Sequence, residues 1–298
     1  MTKSFFYRWD RWWTRKDLPH ILAIFRIAFG SFLLLEALTY VQAVPTLFSS
    51  QGLVFSIWAD AFPMTIRSLF EPPSVAVAWL IFSFYCLCSV TLALGIAMRT
   101  SLFSLLLLFL YYWQLSFHDF PSSYHRLFFT VLLILLFSGA DKTFSLHMRL
   151  RRGSFFAFEE ISILPQRLLA LQITATYIGV ASQKIWLPDW QTGEVLIASF
   201  SGKWATPWGF VLTRTFSPAV FEFLNWIVRL GEFFLPFCLW NREWRWKAII
   251  AGTLFHVSVA VFMSIWWFLV LPPAYVLFFD PREVHSWLSH HLPIIKKR

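Results

Sequence analysis

The sequence predicts an all-α polytopic membrane protein, a transmembrane helix bundle of about eight spans with seven as the alternative. Three observations carry this. The 298 residues are 58% hydrophobic and only 14% charged, where a soluble domain carries about 25% charged residues. The mean hydropathy is +0.61. Apolar runs long enough to cross a bilayer as a helix, about 17–25 residues, recur between short punctuated connections.

The elements follow in order. Residues 1–19, which include FFYRWDRWWTRK, read as an interfacial basic-aromatic segment, aromatic for the headgroup zone and cationic for anionic lipid. No small-residue cleavage site follows the first apolar run, so no cleaved signal peptide is expected. Residues 20–280 form the transmembrane domain and 281–298 a cytoplasmic basic tail. Expected spans are His20–Val44, Ser74–Ala97, Ser101–Phe117, Tyr124–Ala140, Pro165–Leu187, Ser217–Trp240, Ala248–Met263 and Ile265–Phe279. Pro272-Pro273 breaks the last, so residues 248–280 are two spans or one span plus a re-entrant piece. Residues 45–73 read as a loop on the membrane surface, the charged stretch 141–164 as water-exposed or interfacial, and 188–216 as a Trp- and Gly-rich loop.

Charge sets the orientation, because Lys and Arg gather in cytoplasmic connections. With the N-terminus inside, eighteen basic residues fall on the inner side and three, Arg67, Lys203 and Arg214, on the outer; both termini are then cytoplasmic. The net charge of +9 thus reflects membrane topology, and no nucleic acid is expected as a partner. Cys86, Cys88 and Cys238 all lie in apolar runs and read as packing residues. Cys86 and Cys88 point to different sides of a helix, and no disulfide framework is expected.

Ionisable groups inside spans are hypotheses about function. The stretch Gly179–Gly193, GVASQKIWLPDWQTG, places Lys184 near the outer end of the fifth span, with Asp189 and Trp190 directly after it. Lys184 either snorkels to the interface or is desolvated with a lowered pKa and usable as a base. Tyr177 lies seven residues earlier, two turns back on the same face. His118, Asp119 and His125 sit at the third-to-fourth turn, and Glu222, Arg229 and Glu232 on the sixth span. His256 lies near mid-depth of the seventh, either bonded as a neutral imidazole to a neighbouring helix or contacting substrate. Gly252 and Ala260 share its face and would let a helix or ligand approach. Arg229 and Glu232, at i and i+3, are expected to pair, and Arg26 to snorkel at the inner end of the first span. No metal is expected, because the spacing of His118, Asp119 and His125 matches no ligand motif.

Several segments resemble the HTTM (horizontally transferred transmembrane) domain, which is shared with vitamin K-dependent gamma-glutamyl carboxylases. YIGVASQKIWLPDWQTG (Tyr177–Gly193) is similar to the carboxylase segment holding the catalytic lysine, and GEFFLPFCLWNREWRWKA (Gly231–Ala248) to the Glu-helix and basic turn. LFHVSVAVFMSIWWF (Leu254–Phe268) resembles the His-bearing helix, and SGADKTFSLH (Ser138–His147) is a fourth piece. They occur in the family's order, from about Arg26 to Asp280.

The resemblance implies a lysine base acting on reduced vitamin K or menaquinol, driving epoxidation or carboxylation, at a site facing outward. By position, Lys184 would be the base and His256 a hydrogen-bonding or charge-stabilising group, both catalytic. Tyr177, His118, Asp119 and Glu222 would line the quinone pocket. This chain has Gln183 where the family has a second basic residue, and its spacing to Asp189-Trp190 differs by one residue. No extramembrane part like the one with which carboxylases present glutamates is expected beyond the spans, which weighs against a carboxylase of protein glutamates. Membrane lipids and a lipid quinone are the expected partners, in a bacterial cytoplasmic (inner) membrane. The alternative is a non-catalytic, SdpB-type partner for maturation or export of a secreted peptide; a third reading is a lipid-interacting scaffold.

Overall fold

Apart from one two-residue ladder, the regular structure of the described chain is helical. The computed structural model describes residues 2–52, 54, 56, 63–67, 70–115 and 123–291. Its helices are α1 (Thr2–Thr14), α2 (His20–Thr39), α3 (Val44–Phe48), α4 (Met64–Arg67), α5 (Val75–Leu94), α6 (Met98–Leu115), α7 (Ser123–Leu136), α8 (Leu146–Arg152), α9 (Leu164–Trp186), α10 (Glu194–Ser201), α11 (Pro207–Thr215), α12 (Pro218–Trp240), α13 (Arg245–Met263), α14 (Leu271–Ala274) and α15 (Pro281–His291). Four of them, α2, α5, α12 and α13, are long and apolar enough to cross a membrane. Their bounds track the expected spans to within a few residues, because apolar length dominates the signal.

Two compact units divide the chain: Met1–Leu168 with Phe279–Arg298, and Leu169–Phe278. In the first, α2 packs on α5, α5 on α6 and α6 on α7. The strands β1 (Lys16–Asp17) and β2 (Ile161–Ser162) pair antiparallel, with Lys16 opposite Ser162. That ladder ties the N-terminal segment to the 141–164 stretch, a link too short for sequence alternation to reveal.

Arg26 departs from expectation. Its guanidinium is fully buried rather than stretched to an interface. Nη1 donates to the carbonyls of Leu92 (2.6 Å) and Ala93 (2.5 Å), the last turn of α5, while Nε reaches Ala140 (3.1 Å) and Nη2 reaches Phe144 (2.7 Å). A helix C-terminus presents carbonyls without intrahelical donors; Arg26 supplies a donor to Ala93 from a neighbouring helix and adds a second at Leu92, which also accepts from Gly95 N. Gly95 follows with φ +67°, and a Cβ there would lie 2.8 Å from Arg26 Nη1. The left-handed turn and the close approach both require glycine.

Nearby, Glu159 gathers Arg152 (2.8 Å), Arg151 (3.2 Å) and Lys142 (3.3 Å). Chiefly the hydrogen bond from Arg152, then that from Lys142, holds the Glu159 carboxyl below its ordinary range. A carboxyl with a folded pKa below its unfolded one stabilises above the unfolded value, and that contribution disappears as pH falls through the folded value. Amide protection across 142–152, corrected for the intrinsic pH dependence of exchange, should therefore fall as pH drops below about 4. Glu159→Gln should remove that dependence with a stability change under about 1 kcal/mol, because the pairs are exposed.

In the second unit, α12 packs on α13, and α10 and α11 fill the stretch expected to be a loop. Thr206 caps α11 by accepting from Gly209 N, with Pro207 at the first helical position, an N-terminal signature legible in the sequence. Leu196, Phe200 and Phe221 form a small core there, with Ile197, Leu224 and Phe262 packed against it. After α13 the chain turns at Ser264 (φ +53°). It then runs as short helical pieces, Trp266–Val270, α14 and Tyr275–Phe278, rather than one rod. The apolar stretch Trp266–Phe278 is shorter than the four qualifying helices. Cys86, Cys88 and Cys238 are free thiols on α5 and α12.

Candidate functional site

The second unit has polar groups on faces that apolar helices ordinarily fill with hydrocarbon. On α12 the buried positions are Phe221, Asn225, Arg229, Glu232, Pro236 and Leu239, spacings of three and four that define one helical face. Three of the six are polar. On α9 the buried stripe Leu169, Ala170, Ile173, Tyr177 and Ala181 continues, three residues on, to Lys184. On α13 the buried positions are Arg245, Ala248, Gly252 and His256.

Lys184 does not snorkel. Its ammonium lies 2.5 Å from Glu232 Oε2, with the two side chains only 15% and 10% exposed. It also sits 4.5 Å from the centroid of the Trp190 ring, a cation–π distance. The carboxylate expected to pair with Arg229 on its own helix instead meets the lysine from α9. Arg229 turns to the 186–193 connection: Nη1 donates to Gln191 Oε1 at 3.0 Å, and its guanidinium stacks 3.9 Å over Trp226.

That connection is pinned from both sides. Asn225 Nδ2 donates to the carbonyl of Thr192, and Gln191 Nε2 donates to the carbonyl of Ile185 at 2.5 Å. Gly193 lies so close to α12 that a Cβ would stand 2.7 Å from Glu222 N and 2.8 Å from Pro218 O. The polar stripe on α12 thus folds the 3-10 turn Pro188–Trp190 back, which brings Trp190 over the lysine. Asp189, the other half of the acidic-aromatic pair, is exposed.

A second polar chain lies in the same unit. The Tyr177 hydroxyl is 2.6 Å from His256 Nε2 and 2.6 Å from the Tyr275 hydroxyl. Tyr177, His256 and Tyr275 are all buried. The sequence expectation of a His256 imidazole bonded to a neighbouring helix holds, with Tyr177 as the partner. Gly252 admits Tyr275: a Cβ would lie 2.5 Å from its hydroxyl. Gly252→Ala should push Tyr275 off Tyr177, cost about 1–3 kcal/mol, and show as a lower melting midpoint in detergent.

Some buried donors and acceptors on these faces remain unused. His256 Nδ1, Arg229 Nε, Arg229 Nη2 and Asn225 Oδ1 make no hydrogen bond to protein. Arg229 is 1% exposed, and a buried guanidinium with idle donors is costly unless something else pairs with it.

Of the other expected site residues, Glu222 is exposed. It lies ten residues before Glu232, about 15 Å along the helix, so Glu232 and not Glu222 faces Lys184. His118 and Asp119 lie outside the described residues. Sequence reasoning missed Tyr275, Asn225 and the Lys184–Glu232 pairing. The spacing of 225, 229 and 232 was a signal for the polar face, whereas nothing in the sequence pointed to Tyr275.

The family model for the HTTM domain matches residues 14–282, a stretch that holds every residue of both polar chains. Searches of curated proteins and of solved structures gave no match. The family match spans most of the chain, and four of its helices are long and apolar enough to cross a membrane, so the protein belongs to the HTTM-domain family of membrane proteins.

Proposed function

We propose that this protein is a multi-pass enzyme of a bacterial inner membrane that performs base chemistry on a lipid quinol, related to the vitamin K-dependent carboxylase and epoxidase reaction. The proposed topology has about eight crossings and both termini in the cytoplasm. The eighteen-to-three split of basic residues supports it. Under that topology the outer end of α9, with Lys184, lies on the non-cytoplasmic side.

The observation that carries the reading is the buried Lys184–Glu232 pair. A pair with a single shared proton excess can exist as ammonium and carboxylate or as amine and carboxylic acid. Both forms are neutral overall, so burial does not forbid the exchange. In the second form Lys184 is a base, and Glu232 holds the proton it gave up. Trp190 covers the amine and limits water.

The unused groups fit a quinol. His256 Nδ1 and the Nε and Nη2 of Arg229 are buried and have hydrogen-bonding capacity to spare, which suits oxygens that alternate between hydroxyl, oxyanion and carbonyl. A bound quinol supplies acidic O–H groups and a pair of electrons. His256 and Arg229 would hold its oxygens, Lys184 would take a proton, and the Tyr177–Tyr275 hydroxyls would fix the imidazole and pass a proton along the hydrogen-bonded chain.

The test is to purify the protein from native membranes, identify retained quinones, and assay vitamin K hydroquinone or menaquinol turnover with oxygen. Wild type should retain a quinone and turn over. His256→Ala should weaken retention, and Lys184→Met should lose turnover. Absence of turnover in wild type, or Lys184→Met turning over at the wild-type rate, would overturn the proposal.

A further inference from the structure

A separate site is built into the first unit. Its small pocket has about 30 Å³ of space for water-sized groups, lined by Glu36, Ala37, Tyr40, Phe48, Phe82, Tyr85 and Tyr112. Five of these seven are aromatic. Glu36 is the acid among them and is 4% exposed. Tyr124 hydrogen-bonds its carboxyl, whereas Oε1 makes no hydrogen bond to protein. The imidazole Nε2 of His125 stands 3.7 Å from Oε1, beyond hydrogen-bonding range.

We propose that this pocket binds a primary alkylammonium group, with Glu36 as its counter-ion and the aromatic side chains as its wall. The chemistry of the lining narrows the class. Paired with a bound cation Glu36 is a carboxylate and accepts only, so its idle oxygen calls for an N–H donor. Aromatic walls favour a compact cation, whose charge the rings stabilise at their faces. A divalent metal ion needs six or more oxygens, and the lining offers one carboxylate. A quaternary ammonium has the charge but no N–H to give Oε1. At about 10–15 Å³ per water-sized group, the space admits two or three heavy atoms, the size of a short amine's head.

Position indicates where the amine comes from. Glu36 lies in the last turn of α2, and Phe48 comes from α3 just beyond it. The end of a membrane-spanning helix lies at headgroup depth. Either a soluble amine or the ethanolamine headgroup of a lipid presents the same ammonium there.

The experiment uses the full chain in detergent, with ethylammonium and tetramethylammonium as probes in thermal-shift and calorimetric titrations. Ethylammonium should raise the melting midpoint saturably and bind at least about tenfold more tightly than tetramethylammonium. Glu36→Gln, which keeps the shape, should weaken ethylammonium by at least about tenfold, and Phe82→Leu should weaken it severalfold. Native mass spectrometry separates the sources: release of a retained ethanolamine lipid by ethylammonium assigns the site to a headgroup, and binding without lipid release assigns it to a soluble amine. Equal binding of the two probes by wild type, no binding of either, or unchanged ethylammonium binding in Glu36→Gln would overturn the proposal. Turnover at Lys184 should not change with Glu36→Gln, which keeps this test independent of the quinol reading.

Discussion

Lys184→Met is expected to reduce turnover on the order of 10²–10⁴-fold, the range for loss of a positioned base, and to destabilise the protein as well. The second effect comes from Glu232. Its side chain is only 10% exposed, and its cation is Lys184 at 2.5 Å. Removing one partner of a buried pair leaves an uncompensated charge and costs about 3–5 kcal/mol. The midpoint of unfolding in detergent should fall accordingly. Lys184→Arg separates charge from chemistry. A guanidinium keeps the positive charge but is always protonated and cannot act as a base. That variant should retain much of the stability and none of the turnover.

Arg26→Met is the second large effect. The side chain is fully buried and donates to four carbonyls, two of them the terminal acceptors of α5. Methionine fills a similar volume but removes the donor to Ala93, Ala140 and Phe144, while Leu92 keeps only the Gly95 N–H. Hydrogen bonds from charged groups contribute about 1.5–3 kcal/mol each, and with partial relaxation the loss should be about 3–5 kcal/mol. Arg26→Lys should recover little. An ammonium is a point charge with three donors, whereas the four carbonyls are spread around a planar fork. Thermal melts of the two variants against wild type check this. A loss below about 1 kcal/mol in Arg26→Met would mean the carbonyls find other donors.

What the sequence made legible follows from the range of each signal. Apolar length is local and strong, so α2, α5, α9, α12 and α13 stand within a few residues of their expected bounds. Thr206-Pro207 marks the start of α11, whereas the Trp and Gly content of 188–216 reads as a loop and hides both α10 and α11. The site was legible in its residue types and not in its pairings. Lys184, Tyr177 and His256 stand out because polar groups are rare in apolar helices. The sequence pairs Glu232 with Arg229 because i, i+3 neighbours are visible in it, whereas a lysine on another helix is not. Arg26 near a helix end has the same composition whether it snorkels or caps α5, and only the neighbouring carbonyls decide. Gly252 was recognised as a place of close approach; that a tyrosine hydroxyl comes near was not.

The most direct measurement of the central claim is a double-mutant cycle on Lys184 and Glu232, read as unfolding free energy in detergent for wild type, Lys184→Met, Glu232→Gln and the double variant. A buried ion pair predicts strong coupling, about 2–3 kcal/mol or more, with the double variant more stable than Lys184→Met alone. Additive effects, within about 0.5 kcal/mol, would mean that the amine and the carboxylate do not meet, and the proposed base would have no partner to receive its proton.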